Sequence, residues 1–159
     1  HREADADPGN DGLDLVLFGL GRFGTTLASN LRERGSRLLA IDFDPEIVKL
    51  HERDGYPARY GDAEDPEFIA TLPLDRIPCV VSTLRESALN RALLQGLQQQ
   101  GYRGKVAVSA STRLEAEALR RDGADLVFVP YADAAQEAAD RLLRETRLEI
   151  DADKSGDKA

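Results

Sequence analysis

Six short apolar runs alternate with six helical patterns over residues 13–147, and that alternation constrains the fold more than any other feature of the chain. The runs are 13–18 (LDLVLF), 37–41 (RLLAI), 57–60 (PARY), 77–82 (IPCVVS), 105–110 (KVAVSA) and 125–129 (DLVFV). Short apolar runs between turn signals read as strands, and continuous ones as strands buried on both faces. The patterns between them predict helices over 22–34, 45–54, 65–72, 86–100, 112–122 and 131–147. Asp44-Pro45 and Asp65-Pro66 each supply an N-cap followed by a proline in the first turn. Gly35, Gly55 and Gly123 follow as C-terminal stops. Ile47, Val48 and Leu50 are expected to face inward, as are Leu89, Ala92, Leu93 and Gly96 or Leu97 on the fourth helix. Strand–helix alternation with short links requires parallel strands joined by right-handed crossovers. The predicted fold is α/β: a doubly wound parallel six-stranded sheet with helices on both faces. Its ligand crevice would lie at the carboxyl ends of the strands, where strand order reverses.

Gly19-Leu20-Gly21-Arg22-Phe23-Gly24 matches G-x-G-x-x-G. Alone the pattern is weak, but here it directly follows the first strand and opens the first helix, as in a Rossmann-like dinucleotide fold. Gly19 permits the tight turn, Gly21 lets a phosphate approach the backbone, and Gly24 lets the helix pack on the strand. The amides of Arg22 and Phe23 would meet the anion at the positive end of the helix dipole. Asp42 ends the second strand eighteen residues after Gly24, where a carboxylate reaches two ribose hydroxyls. It would repel a 2′-phosphate, which favours NAD or a plain adenosine nucleotide over NADP. Tyr60-Gly61-Asp62-Ala63 ends the third strand and would flank the adenine, with Asp62 accepting from the amino group and Ala63 against the ring. Ser82-Thr83-Leu84 ends the fourth strand, on the phosphate side of the crevice.

The remaining composition narrows the function. The 159 residues suit one domain, expected over 12–148, with disordered tails at 1–11 and 149–159. Of the net charge of −8, the first tail carries −3 and the last −2. With no basic aromatic stripe, the chain is a poor candidate for binding nucleic acid. The sequence contains no Met and reads as a piece of a longer protein. Cys79, the one cysteine, is expected to be a buried reduced core residue, and His51 a solvated surface one. No Cys/His cluster has metal spacing, no Ser/His/Asp set is credible, and no Tyr precedes a Lys by four. The chain can hold a nucleotide yet offers no catalytic and no metal-ligating residue.

GLGRFG (19–24), AIDFDPE (40–46), YGDA (60–63), STLRESALN (82–90) and LRRDGADLVFVP (119–130) together resemble an RCK N-lobe, also called a KTN or TrkA-N domain. The resemblance covers about residues 13–147 and is greatest to the cytosolic domains of Kef-type monovalent cation:proton antiporters. It implies regulation rather than catalysis. Such domains bind AMP, ADP, ATP or NAD(H), dimerise through a last helix that crosses to the partner, and gate a membrane-embedded transporter from its cytoplasmic face. Carried over to this chain, the resemblance implies a phosphate loop of Gly19, Leu20, Gly21, Arg22, Phe23 and Gly24. It implies Asp42 on the ribose, Phe43 beside the adenine, Asp62 and Ala63 in the adenine loop, and Thr83 and Asn90 lining the rest. The crossing helix would be 131–147, with Tyr131, Ala134, Ala135, Ala138, Ala139, Leu142 and Leu143 on one stripe; the other reading of that stripe is packing on its own sheet.

Two departures change the crevice: Val108-Ser109-Ala110 stands where many members carry Ala-Arg-Ala, and Arg85 where an acid is common. No second RCK lobe follows within these residues, unlike a channel-type subunit. The alternative readings are the cofactor half of an NAD-dependent oxidoreductase and a dimerisation module with a vestigial pocket.

Overall fold

The computed structural model describes residues 12–158, and side chains over 12–147. The expected tail at 1–11 lies outside the described residues. In chain order the elements are β1 (Leu15–Phe18), α1 (Arg22–Glu33), β2 (Leu38–Asp42), α2 (Pro45–Arg53), β3 (Ala58–Tyr60), α3 (Pro66–Ala70), a 3-10 turn (Leu74–Arg76), β4 (Cys79–Ser82), α4 (Ser87–Gln99), β5 (Lys105–Ser109), α5 (Arg113–Arg121), β6 (Leu126–Phe128) and α6 (Pro130–Lys158).

The six strands form one sheet in the order β3-β2-β1-β4-β5-β6, every neighbouring pair parallel. The fold is the Rossmann-like doubly wound sheet expected. Parallel strands covered on both faces need apolar residues at every position, and β1 is buried throughout. One core cluster holds Leu17, Ala40, Val81 and Ala107 with Ala28 of α1 and Val48 of α2. The other holds Val16, Phe18, Val80 and Val108 with Ile69 of α3, Leu93, Leu94 and Leu97 of α4, and Leu119 of α5. Thus α1 and α2 cover one face, and α3, α4 and α5 the other. Strand order reverses between β1 and β4, which opens the crevice beyond Phe18 and Ser82.

The predicted caps form. Asp44 and Asp65 accept from the amides of Glu46 and Glu67, and Thr112 accepts from that of Glu115. Three expectations are corrected. Leu50 is 53% exposed, because the inward stripe of α2 runs through Ile47 and Val48. On α4 the buried residues are Asn90, Leu93, Leu94, Gly96 and Leu97, while Leu89 and Ala92 are only half-buried. Residues 149–158 are helical, not a disordered tail: α6 runs to Lys158, and its sequence holds no Gly between Pro130 and Gly156 to stop it.

That helix leaves the sheet early. Val129 and Ala132 pack on the core, but every residue from Asp133 to Arg147 is exposed. Its stripe therefore does not pack on its own sheet: Tyr131, Leu142 and Leu143 are 82%, 64% and 48% exposed.

Candidate functional site

The crevice is built on the three glycines after β1, and each has a different physical reason. Gly19 has φ +99°, a left-handed turn that side chains with a Cβ rarely adopt. Gly24 lies in the first turn of α1, where a Cβ would overlap the Gly19 carbonyl oxygen and stand 2.6 Å from Thr83 Oγ1. Gly21 is unlike both. Its φ is −75°, and a Cβ there would meet nothing within 4 Å. Neither backbone nor packing in this chain demands a glycine at 21. Gly21 is the N-cap of α1 and provides no side-chain cap, so the helix presents bare amides at its positive end.

Asp42 closes one side. Its Oδ2 accepts from the Leu20 amide at 2.8 Å and its Oδ1 from the Asp44 amide at 2.9 Å. The carboxylate thus ties the loop after β1 to the end of β2, and each oxygen keeps a further lone pair for a hydroxyl. The Leu20 side chain is buried. Beside Asp42 the ring of Phe43 stands 65% exposed, an apolar face left in solvent. The β3 loop adds Asp62, whose Oδ1 accepts from the Glu64 amide at 2.9 Å. Ala63, the next residue, is buried among core side chains.

Thr83 closes the other side. Its amide donates to the Phe18 carbonyl at 2.9 Å. Its hydroxyl lies 2.9 Å from the Gly19 carbonyl oxygen and 3.2 Å from that of Phe18. Arg22 is exposed at the mouth, whereas the Phe23 ring turns inward, edge-on to Phe128 with centroids 6.1 Å apart. Asn90 does not line the crevice. It is fully buried and its amide is wholly engaged: Oδ1 accepts from Ser82 Oγ, and Nδ2 donates to the carbonyls of Leu84 and Ser109. Ser82 was missed as part of this network; the signal was a small polar residue at a strand end with a buried-stripe Asn eight residues on.

The ionisable residues away from the crevice also differ from expectation. His51 is half-buried, its Nε2 3.3 Å from Arg32 Nη1 and its ring beside Tyr56. Burial, then the Arg32 charge, lowers its pKa from the ordinary 6.5. Cys79 is half-buried at the start of β4 rather than within the core, and burial raises its pKa. Among the described residues no group of three or more His, Cys, Asp or Glu could hold a metal ion, and no helix is long and apolar enough to cross a membrane.

The sequence and fold have counterparts among known proteins. Ktr system potassium uptake protein A of Vibrio alginolyticus is 28% identical over 138 residues, 86% of this chain and 62% of that protein. The chain therefore spans less than two thirds of that relative. The NAD(P)-binding domain of an exopolyphosphatase-related protein from Archaeoglobus fulgidus superposes with a TM-score of 0.74 at 24% identity, covering 83% of this chain and 98% of that one. The Kef CTD of Shewanella denitrificans in its AMP-bound form gives 0.69 at 18% identity, over 84% and 80%. The TrkA-N domain model matches residues 15–130, which take in all six strands and the whole crevice. The chain belongs to the TrkA-N domain family.

Proposed function

We propose that this chain is a regulatory module that binds an adenine nucleotide in the crevice and, as a dimer, gates a potassium or other monovalent cation:proton antiporter or channel from its cytoplasmic face. The observation that carries the nucleotide is Gly21. The chain itself has no use for a glycine there, whereas a phosphate approaching the bare amides of α1 needs the Cβ gone. Asp42 and Phe43 suit the ribose and base of the same ligand. AMP and NAD(H) are the leading ligands, with ADP and ATP sharing the chemistry. A relative named for potassium uptake supports the transport setting, and an AMP-bound structural neighbour supports the ligand.

The partner surface is α6. A stripe of Ala134, Ala135, Ala138, Ala139, Leu142 and Leu143 on an exposed helix is covered most simply by the same helix of a second copy. Calorimetry with AMP, ADP, ATP and NADH is expected to give micromolar to sub-millimolar binding for at least one, and heats absent for all four would overturn the reading. Light scattering is expected to give a dimer that Leu142→Glu with Leu143→Glu converts to monomer; an unchanged mass would overturn the α6 interface.

A further inference from the structure

We infer that Asn90 is a positioning residue for phosphate recognition, holding the phosphate loop from the opposite face of the sheet through Ser82 and Thr83. This rests on the adenine-nucleotide reading and adds to it a residue that never touches the ligand.

The chain of contacts is continuous. The loop's Gly19 carbonyl is held by the Thr83 hydroxyl, and the same hydroxyl lies within 2.7 Å of where a Cβ would stand on Gly19 and within 2.6 Å of where one would stand on Gly24. Thr83 therefore stands between the two glycines that shape the loop. Its own place is set by the residues on either side. Ser82 Oγ donates to Asn90 Oδ1 and accepts from the Leu84 amide at 3.2 Å. Asn90 Nδ2 donates to the Leu84 carbonyl at 3.0 Å and across to Ser109 of β5 at 2.9 Å. The 82–84 segment is thus clamped to α4 and to the neighbouring strand.

The placement is specific to the loop. Asn90 lies on α4, which covers the face opposite α1, among Leu93, Leu94 and Leu97. A leucine would serve that core better, and Asn is a poor helix former. What Asn90 supplies is an acceptor and two donors in one rigid group, all three engaged at the carboxyl ends of β4 and β5. Asp42 holds the other side of the loop, at Leu20 and beside the ribose. The two supports divide the ligand. Loosening Asp42 affects ribose and loop together, whereas loosening Asn90 displaces Thr83, the Gly19 carbonyl and the first turn of α1, where the phosphate sits.

The test compares adenosine with AMP. Affinities of both are measured by calorimetric competition for the intact chain and for Asn90→Ala, Ser82→Ala, Thr83→Val and Thr83→Ser, with thermal melts of each. The AMP-to-adenosine affinity ratio is expected to fall about five- to tenfold in Asn90→Ala and Thr83→Val, the scale of one lost hydrogen bond. It should fall less in Ser82→Ala and hold in Thr83→Ser, which keeps the hydroxyl, while adenosine binding stays within about twofold in Asn90→Ala and Ser82→Ala. A purely structural role would lower both ligands by one factor and leave the ratio unmoved, which would overturn the inference. If Asn90→Ala does not fold, Ser82→Ala decides between the same two outcomes. A wild-type chain that binds none of AMP, ADP, ATP and NADH overturns the nucleotide reading and this inference with it, and one that binds NADH but neither AMP nor adenosine overturns this inference alone. Wild-type binding with an unmoved ratio overturns this inference alone.

Discussion

Asp42 holds the loop after β1, and on the proposed reading it also meets the ribose; the two tasks separate experimentally. Its carboxylate accepts two backbone amides, Leu20 at 2.8 Å and Asp44 at 2.9 Å. Hydrogen bonds to a charged acceptor contribute about 1.5–3 kcal/mol each. The residue is half-buried, so the freed amides of an Asp42→Ala variant recover part of that from water. A net loss of about 2–3 kcal/mol follows. For a domain of this size, each kcal/mol lowers Tm by about 2–4 °C, so Asp42→Ala should melt roughly 4–12 °C below wild type with no nucleotide present. Asp42→Asn keeps one carbonyl oxygen but points an NH2 at the second amide, so it should lose at least half as much. Circular-dichroism melts at neutral pH in nucleotide-free buffer measure this directly. Calorimetry then adds the second loss, of the ribose hydroxyl bonds. An Asp42→Ala chain that melts with wild type but fails to bind would refute the reasoning: the carboxylate would then serve the ligand alone and not the loop.

The other perturbations follow from the same geometry. Gly24→Ala should cost about 1–3 kcal/mol in a denaturant titration, because its Cβ overlaps backbone that cannot yield. Gly21→Ala should leave stability within about 0.5 kcal/mol, since its Cβ meets open space, yet weaken AMP at least about tenfold. Phe43→Ala should leave the melt unchanged, because the ring is 65% exposed, while weakening AMP by about two- to tenfold through lost stacking. His51 has a folded pKa below its ordinary 6.5, so the unfolded chain takes up the proton more readily. Its contribution is fully present above that value and is lost as pH falls through the range beneath it. The drop in Tm between pH 7 and pH 5 should therefore be smaller in His51→Gln than in wild type, and an equal drop would exclude His51 as the cause.

The fold was legible because periodicity survives in single residues. Runs such as LVLF have no polar face, and only a sheet covered on both sides buries such runs one after another. Misplaced faces came from trusting apolar residues over angle. Successive helical residues turn by about 100°, which puts Leu50 some 110° from the midline of Ile47 and Val48, and so outward. On α4 the buried stripe of Leu93, Leu94 and Leu97 extrapolates back by three, four and seven residues to Asn90, not to Leu89. The period was there; the polar identity of residue 90 masked it. The length of α6 was hidden in the opposite way. Its acidic end reads as a solvated tail, yet charge does not break a helix, and no glycine intervenes before residue 156.

The site was legible in its residue types and illegible in its connections. A sequence motif groups three glycines as one signal, but they answer three separate constraints: Gly19 a positive φ, Gly24 a backbone contact, Gly21 a space that nothing in the chain fills. Only the last leaves open space that a ligand could take. The polar residues divide the same way. Asp42 and Phe43 combine a local motif with exposure, so type and spacing suffice to find them. Thr83 and Asn90 act on partners 64 and 19 residues away, across strands whose neighbours follow from topology alone. Spacing cannot distinguish a group that touches a ligand from one that holds the group that does. On the nucleotide reading, the distinction decides which substitutions alter recognition of the phosphate and which alter binding of the nucleotide as a whole.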